Sequence, residues 1–155
     1  MTTLSARDFL KEQARIADDL ANEVQKRLVH LPDRPGAADP VSQAAWDAQY
    51  QYLTSQRQRL SALATTFAVQ AAGAAIDDVA QGLKDVAKAT EAAQEQIKQI
   101  EKVSDFVTRI AQVIDLGVAV AAAIADPSVG TLKTVAEKVK VLASPVREDD
   151  EAGGG

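Results

Sequence analysis

Between Ile76 and Ile124 apolar or small residues return in alternating steps of three and four: Ile76, Val79, Leu83, Val86, Thr90, Ala93, Ile97, Ile100, Ser104, Val107, Ala111, Ile114, Val118 and Ala121. A seven-residue repeat of this length places one narrow stripe along a helix, and that stripe must be covered by another helix. A second stripe runs through Leu10, Ala14, Ala17, Ala21, Val24, Leu28 and Leu31, widened by Phe9, Ile16 and Leu20 into a face that calls for more than one neighbour. Ser5, with Asp8 three residues on, reads as the cap of this first helix.

The first helix must stop at Leu31, since Pro32, Pro35, Gly36 and Pro40 make the next stretch a loop. Asp39-Pro40 then reads as a cap followed by a first helical residue, where proline's missing donor costs nothing. From Val41 no strong stop signal occurs before Asp126-Pro127, and Leu60, Leu63, Ala64, Phe67, Ala68, Ala71, Ala72, Ala75 and Ile76 keep helical spacing past Gly73. Unbroken, that helix would be about 130 Å long, against roughly 40 Å for the first.

A seam so poorly covered must either meet another chain or fold back. Two fold-back points offer themselves: Ala71-Ala72-Gly73-Ala74, and a break near Ser104, where Ser104 would cap a new helix with Asp105 in its first turn. The second is preferred. The pattern therefore predicts an all-α, elongated helical bundle or coiled coil of about four helices, one much longer than the rest, over residues 4–31, 40–102, 104–125 and 127–143. Asp126-Pro127 repeats the Asp39-Pro40 device before the last, amphipathic helix, and residues 144–155 form an acidic, Gly-rich tail without apolar pattern.

Composition agrees with helices: 46% of residues are hydrophobic and only 4% aromatic, so Ala, Leu, Val and Ile build the core. The 155 residues fit one domain. The net charge is -5, and Ile76 to Asp126 holds nine acids against five bases, which argues against a nucleic-acid backbone as partner. No cysteine is present, so disulfides and thiolate metal sites are excluded. The charged N-terminus lacks a signal's apolar stretch, and no uninterrupted apolar run reaches the roughly 18 residues of a membrane span, so the expectation is a soluble, cytoplasmic protein as translated.

Chemistry is harder to find. His30 is the single histidine and sits at a helix end, where the dipole favours it; no nucleophile or orienting acid accompanies it. The carboxylates Asp18, Asp19, Asp77, Asp78, Glu91 and Glu95 lie off the apolar stripes and read as a solvated face. Glycines are scattered singly, without a phosphate-binding loop. No cofactor, metal or catalytic residue is expected, and the chain is read as a non-enzymatic protein.

Three constellations remain. Ile76, Val79, Leu83, Val86, Ile97 and Ile100 form the candidate assembly seam. Val113, Ile114, Leu116, Gly117, Val118, Val120, Ala121 and Ile124 form a segment that is either a buried core helix or a membrane segment released from the fold, with Gly117, Ala121 and Ala125 as a small-residue face. Trp46 and Tyr50 form an aromatic pair that either caps the proline-loop end or anchors a partner. The leading expectation is a structural subunit, adaptor or scaffold that self-associates or binds a helical protein. The alternative is a membrane-active protein whose layout resembles that of α-helical pore-forming toxins, with 113–125 as the inserted segment; a granule-surface protein using amphipathic helices shares features with both.

Overall fold

The computed structural model describes residues 5–73 and 81–144. These form five helices and no strand: α1 (Ala6–Val29), α2 (Pro40–Gly73), α3 (Gln81–Gln99), α4 (Val103–Ala125) and α5 (Val129–Ala143). The chain is all-α, as its periodicity predicts.

The ends of the helices follow from local chemistry. Ser5 Oγ accepts the Asp8 N–H at 3.1 Å, the expected cap of α1, and His30 is the residue at its C-terminal end. Asp39 accepts both the Ser42 N–H (3.1 Å) and the Ser42 hydroxyl (2.6 Å), so α2 starts with a side-chain cap ahead of Pro40. The last helix departs from expectation. Asp126 ends α4, and Ser128 caps α5: its Oγ accepts the Thr131 N–H while Thr131 Oγ1 accepts the Ser128 N–H. A hydroxyl able to pair reciprocally with a residue three positions on takes the cap from Asp126. Ser104 likewise lies inside the first turn of α4, which starts one residue earlier.

Bonds between helices fix their directions. The proline loop returns the chain so that α2 packs against α1, with Trp46 Nε1 donating to the Pro32 carbonyl at one end and Lys11 meeting Ala68 in a shared surface groove at the other. Gln13 donates to Thr90 (3.0 Å), Gln94 to Asp19 (3.1 Å) and Arg27 to the Ile97 carbonyl (3.3 Å), in ascending order on both chains, so α1 and α3 are parallel. Gln56 donates to the Val107 carbonyl and Gln70 to that of Ala121, which makes α2 and α4 parallel. Arg109, near the start of α4, reaches the Leu142 carbonyl near the end of α5, which runs antiparallel to it.

Because α2 is antiparallel to α1 and α3 parallel to it, α2 and α3 run in opposite directions. The single helix expected over 40–102 is therefore two, α2 ending at Gly73 and α3 starting at Gln81, and α4 follows as a third. Both fold-back points are used. The physical reason is burial: a stripe of Leu83, Val86, Thr90, Ala93 and Ile97 left in solvent would forgo about 1.5–3 kcal/mol for each large side chain, whereas folding back buries all five. Gly73, with a backbone entropy cost of about 1 kcal/mol in a helix, marks where α2 gives way.

The first helix buries Phe9, Leu10, Ile16, Ala17, Leu20, Ala21 and Val24, the stripe read from sequence. Helix α2 buries Leu53, Gln56, Leu60, Leu63, Phe67 and Ala71, a narrow 3–4 stripe with every other face in or near solvent. Helix α4 packs against α2, α3 and α5, with Phe106, Ile110 and Leu116 fully enclosed, and the Arg27 guanidinium lies 4.5 Å over the Phe106 ring.

Candidate functional site

The assembly seam proposed from sequence is occupied within the chain. Leu83, Val86 and Ile97 are buried and Ile100 packs partly against the core. Ile76 and Val79 lie outside the described residues, as do Asp77, Asp78 and the tail from Pro145. The seam does not continue along α4 on the same face, for Ser104 and Val118 are exposed there. An open stripe along 83–100 thus ceases to be the reason for assembly.

The apolar segment divides in another way. Val113, Ile114, Leu116 and Val120 are buried; Gly117, Ala121 and Ile124 are half-buried; Val118 is 56% exposed. The small-residue face has an intramolecular use. A Cβ at Gly117 would come within 2.8 Å of Leu63 Cδ1, so glycine lets α2 approach closely, and the neighbouring Ala121 carbonyl takes the Gln70 amide. The helix expected over 104–125 is Val103–Ala125, 23 residues long, and its most apolar 18-residue stretch has a mean hydropathy of 1.7. By length and composition it is the one helix among the described residues able to cross a membrane. Of that stretch 44% is buried.

Among the faces left open in the described residues is the outer side of the α2–α4 contact. On α2 this flank carries Ala62, Thr66 and Val69, and on α4 Ala111, Val118 and Ala122. Val69 is 67% exposed. No charged residue occurs between Arg59 and Asp77, so the C-terminal half of α2 is uncharged on all sides, and on α4 only Asp115 interrupts between Arg109 and Asp126. The periodicity of α2 marks only its buried stripe; the sequence signal for this face is the missing charge.

A second feature absent from the sequence reading is Arg109. It is 2% exposed on the most apolar helix, and its guanidinium donates to the Leu142 carbonyl (2.9 Å), Gln112 Oε1 (2.7 Å) and Gln96 Oε1 (3.1 Å). Burial away from any carboxylate lowers its pKa from the ordinary arginine value. The three neutral acceptors tie α3, α4 and the last turn of α5 together.

The aromatic pair stands at the proline-loop end. Trp46 stacks on Tyr50 with ring centroids 5.3 Å apart, while Arg34 forms a two-pronged ion pair with Asp47 at 2.8 Å and Gln43 donates to the Pro35 carbonyl. Trp46 is half-buried and committed to the loop; Tyr50 is exposed. Of the carboxylates read as solvated, Asp18, Glu91 and Glu95 are exposed, whereas Asp19 is half-buried and joins Arg15 of its own helix to Gln94 of α3.

Family models, curated proteins and solved structures give no match to this chain. Any functional reading therefore rests on the geometry.

Proposed function

We propose that this chain is a non-enzymatic helical protein that acts by assembly, docking the outer α2–α4 face against a helix pair of a second copy or of another helical protein. The observation that carries this reading is the exposed, uncharged flank of Ala62, Thr66, Val69, Val118 and Ala122 in a chain that is 25% charged. Small side chains let a helix approach closely, and Val69 and Val118 supply apolar area that water covers poorly. In this reading the helices form a bundle completed by association, and the contact runs along α2 and α4, not along the stripe of α3. The absence of native cysteine allows a clean test. Thr66→Cys, treated with a short bismaleimide, is expected to give crosslinked dimers, while Glu91→Cys on α3 is not. Equal crosslinking from both positions, or none from Thr66→Cys with no partner captured, would contradict the assignment.

A second reading is supported by the hydropathy of α4. Released from α2, α3 and α5, Val103–Ala125 is long enough to enter a bilayer, and α5, which packs along it, buries only Val135 and Leu142 among its own side chains. Dye release from anionic and neutral vesicles between pH 4 and 7.5 tests it: leakage that Val118→Asp abolishes supports insertion, and intact vesicles throughout remove it.

A further inference from the structure

Away from the α2–α4 face, helices α3 and α5 leave an open cleft between them. One part, of about 330 Å³, is lined by Leu83, Leu132, Val135 and Val139; the next, of about 380 Å³, adds Ala89, Ala92 and Leu142. The two share Asp85 and Val139 and so form one trough, which from Leu83 to Gln96 extends about 20 Å at 1.5 Å per residue. The apolar arc of α5 is broader than its contact with the core requires: Val135 and Leu142 are buried, while Leu132, on the trough side, stays 46% exposed.

The walls are apolar, and the rim carries two lysines: Lys140 of α5 lines the first part and Lys88 of α3 the second, with Asp85, shared by both, as the one acid. Neither lysine takes part in an ion pair among the described residues. In a chain of net charge -5 this is a local excess of positive charge beside uncovered hydrocarbon. An extended alkyl chain is slender, and a volume of this size, with few polar groups converging on it, belongs to small-molecule sites.

We propose that the α3–α5 cleft binds a free medium-chain fatty acid, its alkyl chain lying along Leu83, Leu132 and Val135 and its carboxylate held between Lys88 and Lys140. The lysine stems lie along the apolar walls while their ammonium groups reach the headgroup. The site uses other helices than the assembly face, so the two readings fail independently.

Titration calorimetry with laurate below its micellar concentration tests the assignment, with monolaurin and phosphatidylglycerol vesicles as comparison ligands. Laurate is expected to saturate at one per chain, roughly tenfold more tightly than the uncharged ester. Lys88→Gln with Lys140→Gln should weaken laurate roughly tenfold and leave monolaurin unchanged, and Ala136→Phe, which fills the cleft from an exposed position, should block both. Thermal unfolding of each variant confirms that it folds. The proposal is overturned by absence of saturable laurate binding, by binding that both variants leave intact, or by lysine-dependent capture of vesicles without binding of the free acid.

Discussion

At the scale of single residues, two buried contacts decide how α4 sits. Gly117 lies against Leu63, so Gly117→Ala gains about 1 kcal/mol of helix propensity and loses a similar amount by displacing a flexible leucine end. The substitution should come out near neutral in urea denaturation. Gly117→Val, bulkier and β-branched, should destabilise by about 1–3 kcal/mol. If the clash is the cause, Leu63→Ala in the Gly117→Val background should cost less than Leu63→Ala alone. Arg109 is the other contact. Arg109→Ala removes three hydrogen bonds, orphans the Leu142 carbonyl and opens a cavity, for an expected loss of about 3 kcal/mol. Arg109→Lys should recover little, because one ammonium cannot span acceptors on three helices. None of this was legible in the sequence, where a pattern of apolar spacing counts arginine as outward-facing and cannot register a guanidinium buried by neutral acceptors.

At the scale of elements, caps and loop contacts set where helices begin, and these were mostly readable from residue types. Ser5, Asp39 and the prolines after Leu31 act as their chemistry demands; the start of α5 was misplaced because two caps, Asp126 and Ser128, compete and only geometry chooses. Ser128→Ala should cost about 1 kcal/mol. Since α5 buries only two side chains, the loss should appear first as faster amide exchange in α5, with α1 still protected. The loop between α1 and α2 is held by Asp47 and Asp39. The Arg34 guanidinium lowers the Asp47 pKa, and bonds from Ser42 lower that of Asp39. A carboxylate with a folded-state pKa below its unfolded value contributes stability above the unfolded value and loses it as pH falls through the folded one. Trp46 fluorescence should therefore be constant from pH 7 to about pH 4 and change below it. In Asp47→Asn the change should already be present at neutral pH, and a shift above pH 5 in the wild type would contradict the assignment.

At the scale of the whole molecule, the heptad pattern correctly marked which residues of α3 are buried but not what buries them. A 3–4 stripe is the same whether its cover is another chain or the same chain returning, and no local signal at Gly73 was strong enough to separate the two. Once α3 turns back, its stripe from Leu83 to Ile97 is covered internally, and the flank of α2 and α4 is left with exposed apolar area recognisable in sequence only as a stretch without charge. The account thus places assembly on Val69 and Val118, side chains whose exposure means that replacing them leaves the core intact. Sedimentation equilibrium at micromolar concentration, comparing wild-type protein with Val69→Glu/Val118→Glu, tests this most directly. The wild type is expected to show a concentration-dependent mass above the 16.4 kDa monomer, and the double variant to remain a monomer with unchanged melting temperature. A wild type that remains monomeric, or association that survives both glutamates, would contradict it.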